Sequence, residues 1–179
     1  MVEPDDVGSI LLDAARLIGE GEIVVFGSAA LAFWLPDAPR TRDVDVWCDP
    51  PDRGDAVQAL MGELSWYHDK NDAYVEVWGP ETFAAPKTWR ERAKTLTDEA
   101  VPGVRLVVPH PHDVLIAKLE RWEAADQDHG KRILAAHPLT LEGLDELAAA
   151  TRYRGQGMDP GRRRAFEAHL ADLRRWLMR

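Results

Sequence analysis

Two aspartates stand one residue apart in Thr41-Arg42-Asp43-Val44-Asp45, and a Gly27-Ser28 pair precedes them with fourteen residues between Ser28 and Asp43. Side chains alternate along an extended strand, so Asp43 and Asp45 project from one face. Two adjacent carboxylates repel each other unless a cation lies between them. A hard divalent ion, Mg²⁺ or Mn²⁺, that bridges carboxylates to a triphosphate fits this pair. A glycine turn lets the backbone come close to a ligand. The start of a following helix offers free N–H groups and a positive dipole end, which suit phosphate. Asp43 and Asp45 are therefore candidate metal-binding and catalytic residues, and Gly27 and Ser28 candidate nucleotide-binding residues. An isolated Asp-x-Asp also serves as a solubilising strand end; the preceding strand, Gly-Ser turn and helix single this one out.

The elements that must hold these residues follow from apolar spacing. Val7, Ile10, Leu11, Ala14, Leu17 and Ile18 recur at helical intervals, which predicts a helix over 5–20. Ile23 to Phe26 is an apolar run that reads as a buried strand. SAALAFWLP then resumes helical character up to Pro36. Residues 43–47 alternate as a half-buried strand, and 52–67 read as a helix with Val57, Leu60, Met61 and Leu64 on one face. Residues 73–78 are another strand, with Tyr74, Glu76 and Trp78 on one side. Residues 90–97 and 103–108 flank Pro102-Gly103 as a hairpin. Beyond Pro109-His110-Pro111 the pattern is helical: one long helix or two over 112–136, then helices over 140–151 and 162–177, with Pro138, Gly155, Gly157 and Pro160 between them. The expected class is α+β, a mixed sheet flanked by helices, with a core over 1–108 and a helical C-terminal region over 109–179.

The stretch VVFGSAALAFWLPDAPRTRDVDVWCD resembles the active-site signature of the nucleotidyltransferase superfamily, the DNA polymerase beta-like fold. That signature is a hydrophobic residue, Gly, Gly or Ser, a spacer, then two acids alternating with hydrophobic residues. Thr41 to Asp45 resembles more narrowly the Thr-x-Asp-Ile/Val-Asp of AbiEii and MenT toxin-type nucleotidyltransferases. Arg40 lies three residues before Asp43, where such proteins often carry Arg four before. The resemblance implies a third acid on a neighbouring strand, and Glu76 is the candidate, as metal ligand or base. It implies that Lys118, in His112-Asp113-Val114-Leu115-Ile116-Ala117-Lys118-Leu119, binds phosphate and assists catalysis. It also implies a nucleotide-binding role for Asp126, in Ala125-Asp126-Gln127-Asp128-His129. Here His129 stands where the family's second Asp falls, and Ala125 replaces the usual basic residue. Lys118 also reads as a surface lysine paired with an acid, and Asp126 and Asp128 as a helix-surface charge run.

Composition narrows the setting. With 45% hydrophobic and 30% charged residues, the chain is neither disordered nor collagenous. No apolar run approaches the ~20 residues of a membrane helix. The acidic start MVEPDDVGSI lacks the features of a signal peptide. One cysteine, Cys48, forms no internal disulfide. A cytoplasmic protein without membrane partners is the expectation. Residues 152–179 hold eight Arg against three acids, a net of +5 that leaves the rest at −14 against −9 overall. Such a tail could meet a polyanion, or could be a solvated Arg-rich face. The many tryptophans read mainly as core, with Trp78 placed to stack on a base. His110 and His112 read as loop residues.

The reading is a metal-dependent nucleotidyltransferase that passes a nucleoside monophosphate from an NTP to an acceptor hydroxyl. The toxin-type relatives imply a tRNA end or a protein hydroxyl as acceptor, and a cognate antitoxin as partner. The antibiotic-modifying relatives imply a small aminoglycoside-type acceptor. A catalytically silent nucleotide- or partner-binding module with the same fold stays open, and an Asp-x-Asp glycosyltransferase ranks below both.

Overall fold

The computed structural model describes residues 1–151 and 160–178. The expected breaks at Gly155 and Gly157, and the basic residues Arg152, Arg154 and Arg179, lie outside the described residues. The chain divides into two compact units: Met1–Pro80 with Ala93–Pro109, and Glu81–Arg92 with His110–Arg179.

The first unit opens with α1 (Pro4–Ile18), whose Val7, Ile10, Leu11, Ala14 and Ile18 are buried along one face. Gly19 ends it with φ 72°, a conformation that costs glycine little. β1 (Gly21–Val25) is buried from Ile23 onward and forms the centre of a five-stranded sheet. β2 (Val44–Asp49) pairs with it antiparallel, and β3 (Val75–Val77) pairs with β2 in parallel. On the other side β5 (Val104–Val108) lies parallel to β1, and β4 (Lys94–Leu96) closes the edge antiparallel to β5. The α+β class with a mixed sheet is the observed one.

Four local expectations change. The SAALAFWLP helix is only a five-residue 3-10 helix, Ala29–Phe33. Bonds of the i→i+3 type close it at Leu31 and Trp34, and one i→i+4 bond, from the Leu35 N–H to the Leu31 carbonyl, ends it. The 52–67 helix breaks into α2 (Asp52–Met61) and α3 (Trp66–Asn71). Gly62 leaves the helix with ψ 175°, and the Ser65 hydroxyl accepts from the His68 N–H to start the second helix. The first half of the 90–97 strand is instead α4 (Trp89–Arg92), where the Arg92 guanidinium reaches back to the Thr88 hydroxyl at 3.1 Å and forks onto buried Asp113. The tryptophans are mostly not core. Only Trp47 and Trp122 are buried, while Trp34, Trp66, Trp89 and Trp176 carry a Lys or Arg over the ring at 3.7–5.6 Å. A cation over a half-exposed ring covers apolar area without burying the charge.

The second unit is helical: α5 (Pro111–Lys118), α6 (Ala124–Ala136), α7 (Leu141–Ala150) and α8 (Pro160–Leu177). Segment 81–92 joins it because Lys87 donates to the Ala150 carbonyl at 2.9 Å and Pro86 bridges to Thr151. His110 caps α5, its ring nitrogen accepting from the His112 N–H, so the two histidines belong to a helix start rather than a loop. Phe166, Leu170 and Leu173 form the buried stripe of α8. Its arginines are largely ion-paired: Arg163 to Glu167 at 3.0 Å, Arg174 to Asp145 at 2.7 Å, and Arg175 to Asp172. No helix among the described residues is long and apolar enough to cross a membrane.

Ile23 is 1% exposed at the middle of the central strand. Ile23→Ala is expected to cost about 2–5 kcal/mol in urea unfolding, from lost burial and the cavity left behind.

Candidate functional site

The parallel pairing of β2 with β3 sets Asp45 directly opposite Glu76, with Val44 opposite Val75 and Val46 opposite Val77. Val44, Val46 and Val75 point into the core at 0% exposure. The strand period of two therefore turns Asp45 and Glu76 to the other face, and Asp43, which stands one residue ahead of β2 rather than in the expected 43–47 strand, joins them. One oxygen from each of these carboxylates lies within 4.8 Å of the others, and all three side chains are half-buried. Among the described residues this is the one cluster of metal-ligating side chains found at such range. The structure thus brings together the two aspartates of the motif and the acid that the resemblance singled out.

Gly27 closes the site from β1. Its φ is 63°, and a Cβ built there would lie 2.2 Å from Asp45 Oδ2. The close approach expected at this glycine is therefore to a carboxylate of the site. The Phe26 N–H donates to the Asp45 carbonyl at 3.0 Å, which ties the turn to β2. Ser28 begins the 3-10 helix, and five residues of 3-10 helix supply little of the macrodipole expected behind a phosphate-holding turn.

Two neutral donors face the carboxylates. The Trp78 indole N–H donates to Asp45 Oδ1 at 3.0 Å, and the Tyr74 hydroxyl reaches Asp43 Oδ2 at 3.4 Å. Burial first, then the charges of Asp43 and Glu63, hold the Glu76 carboxyl above its ordinary range; a Trp78 hydrogen bond and Arg42 oppose this. The Tyr74 phenol is likewise pushed up, by burial and then by Asp43. Arg42 stands 3.7 Å from Glu63 and is largely exposed. Oxygen donors gathered this closely, with their mutual repulsion legible in Glu76, fit a hard divalent cation. Cys48, on the same strand, is buried and its thiol is pushed up to about 11 by burial, which leaves it inert as a nucleophile. A separate hollow beneath α1, lined by Leu11, Ile23, Phe33, Leu96, Val104 and Leu106 among others, is apolar and holds none of these acids.

The other expected site residues lie in the second unit. Lys118 Nζ is 3.1 Å from Asp126 Oδ1, with side chains only 7% and 1% exposed. Arg121 forks onto the same carboxylate at 2.9 and 3.0 Å, and the Glu123 N–H adds a bond of 3.2 Å that completes a capping box. Despite its burial, Asp126 is held below the ordinary carboxylate range by Arg121 and Lys118. Asp128 is exposed and pairs with Arg132 at 2.8 Å, one turn on. His129, where the family pattern has Asp, is buried, and its imidazole is pushed down to about 4, first by burial and then by the Lys118 charge.

The sequence profile of a family described as "Nucleotidyltransferase of unknown function (DUF6036)" matches residues 9–171. The chain belongs to that family. No curated protein and no solved structure matches it. For this nucleotidyltransferase, the sequence pointed to the three acids and left out the partners of the buried acids in the second unit. Arg121, which pairs with Asp126, and Arg92, which pairs with Asp113, carried no motif; the Glu123-x-x-Asp126 spacing was the one available signal for the helix cap. Glu63 was hidden inside a helix that the structure breaks.

Gly27→Ala is expected to lower stability by about 1–3 kcal/mol in urea unfolding, through the left-handed backbone and the clash with Asp45. Gly8→Ala, where nothing lies within 4 Å of the added methyl, should stabilise α1 by about 0.5–1 kcal/mol in the same assay. His129 gives a pH signature. With a folded value of about 4 against 6.5 unfolded, the unfolded chain takes up the proton first. Stability should therefore fall as pH drops from 6.5 towards 4, by on the order of 3 kcal/mol. His129→Gln should flatten that part of the melting-temperature profile.

Proposed function

We propose that this nucleotidyltransferase moves a nucleoside monophosphate from an NTP to an acceptor hydroxyl, with Asp43, Asp45 and Glu76 holding Mg²⁺ or Mn²⁺. The observation that carries this reading is the set of three carboxylates within 4.8 Å of one another, beside the Gly27 turn, in a chain of a nucleotidyltransferase family. When bound, the cation would neutralise triphosphate charge and act as a Lewis acid. Asp43 and Asp45 hold it, and Glu76 closes the ligand set. The resemblance also offers Glu76 as the base that takes the proton of the attacking hydroxyl. Gly27 and Ser28 bring backbone to the triphosphate at the edge of the site. In the reaction the acceptor oxygen bonds to the α-phosphorus in line, the bond from that phosphorus to the bridging oxygen breaks, and pyrophosphate leaves.

Lys118 and Asp126 enter this reading through the resemblance. Each is committed to the other in a buried ion pair, an observation that favours the second reading, a module that binds nucleotide or a partner without transfer. The finer assignment, a toxin-type enzyme acting on a tRNA end or a protein hydroxyl and restrained by an antitoxin, rests on Thr41–Asp45 alone.

The test is pyrophosphate release from ATP, CTP, GTP and UTP with Mg²⁺, Mn²⁺ or EDTA, across RNA, protein and aminoglycoside acceptors. Activity should need metal and fall on the order of 1000-fold in Asp43→Asn and Asp45→Asn, the scale of several kcal/mol of lost charge stabilisation. Equal release by these variants, or release in EDTA, overturns the proposal. Nucleotide binding without turnover favours the second reading.

A further inference from the structure

Tyr74 and Trp78 flank β3, two residues to either side of Glu76, and reach Asp43 and Asp45 respectively. Trp78 continues the strand, its N–H donating to the Val46 carbonyl at 2.8 Å. Its ring is 42% exposed, so packing alone does not explain a tryptophan here. Its indole N–H donates to Asp45 Oδ1 at 3.0 Å. Glu76 stands directly opposite Asp45 in the β2–β3 register, so the donor that holds Asp45 is adjacent to it. The other oxygen of Asp45 lies over the Cα of Gly27, at 2.2 Å from where a Cβ would stand. The carboxylate is therefore held from two sides, by an indole donor and by a glycine with no side chain.

We propose that Trp78 is a positioning residue that orients Asp45, and with it Glu76, for the divalent cation; this rests on the reading of Asp43, Asp45 and Glu76 as its ligands. A neutral donor suits the task. An Arg or Lys in its place would orient the carboxylates equally well, but its charge would satisfy the site and compete with the metal. The indole N–H fixes the oxygen and leaves the negative charge in place. It has a rigid ring with two rotatable bonds, so little freedom is lost when the cation arrives. Donors behind metal ligands commonly set affinity in this way, with losses of about 10–100-fold on removal.

The test is Mn²⁺ binding to the full chain by titration calorimetry, compared among wild type, Trp78→Phe and Asp45→Asn, with melting temperature in EDTA as the control for folding. A further variant carries benzothienylalanine at position 78, which keeps the bicyclic ring and lacks only the N–H. The proposal expects wild type to bind Mn²⁺, Asp45→Asn to lose it, and both position-78 variants to bind at least about 10-fold more weakly with an unchanged melting temperature. If the benzothienyl variant binds within about twofold of wild type, the positioning role is overturned and the metal site stands. If wild type and Asp45→Asn show the same absence of binding, the carboxylate site itself falls, and the role of Trp78 with it.

Discussion

Three carboxylates within 4.8 Å of one another repel, and the pairing of β2 with β3 holds them there. The valines between them make this unavoidable. Val44, Val46 and Val75 are fully buried, and a slip of one residue in either strand would turn these valines out and the acids in. The hydrophobic register thus enforces an electrostatically unfavourable face, and the Glu76 carboxyl is held up first by burial and then by the charge of Asp43. Local strain of this kind, maintained by the surrounding core, marks functional sites. The nucleotidyltransferase family match gives that strain a chemical purpose.

The first unit is arranged around this face. The antiparallel pairing of β1 with β2 puts Val25 opposite Val46, so the chain leaves β1 at the level of Asp45. Gly27 follows because no side chain fits between the turn and the carboxylate. Tyr74 and Trp78 supply hydrogen bonds without charge, which steadies the acids without neutralising them.

The second unit treats charge in the opposite way. Asp126 is more deeply buried than the three site acids, yet it receives Lys118, both arms of Arg121 and the helix-start N–H of Glu123. A buried carboxylate with that many donors ionises readily and has no need of an external cation. Asp113 has its own arginine in Arg92. These two acids are matched by charges inside the fold.

Much of this was legible in the residues. Alternation in 43–47 and 73–78 pointed to which acids share a face, and the Gly-Ser turn ahead of Asp-x-Asp carried the resemblance to nucleotidyltransferases. Those are local facts, set by a strand period of two and by glycine's freedom at positive φ. What lay beyond local reach was pairing. Only the β2–β3 register sets Glu76 against Asp45, and only the folded turn shows that Gly27 makes room for a carboxylate. The cations of Lys94 over Trp34 and of Lys131 over Trp176 depend on contacts between segments far apart in the chain. Lys118 and Asp126 read alike in sequence as ligand or surface residues; tertiary packing decided that they are buried together, because a desolvated charge must find its opposite within the fold.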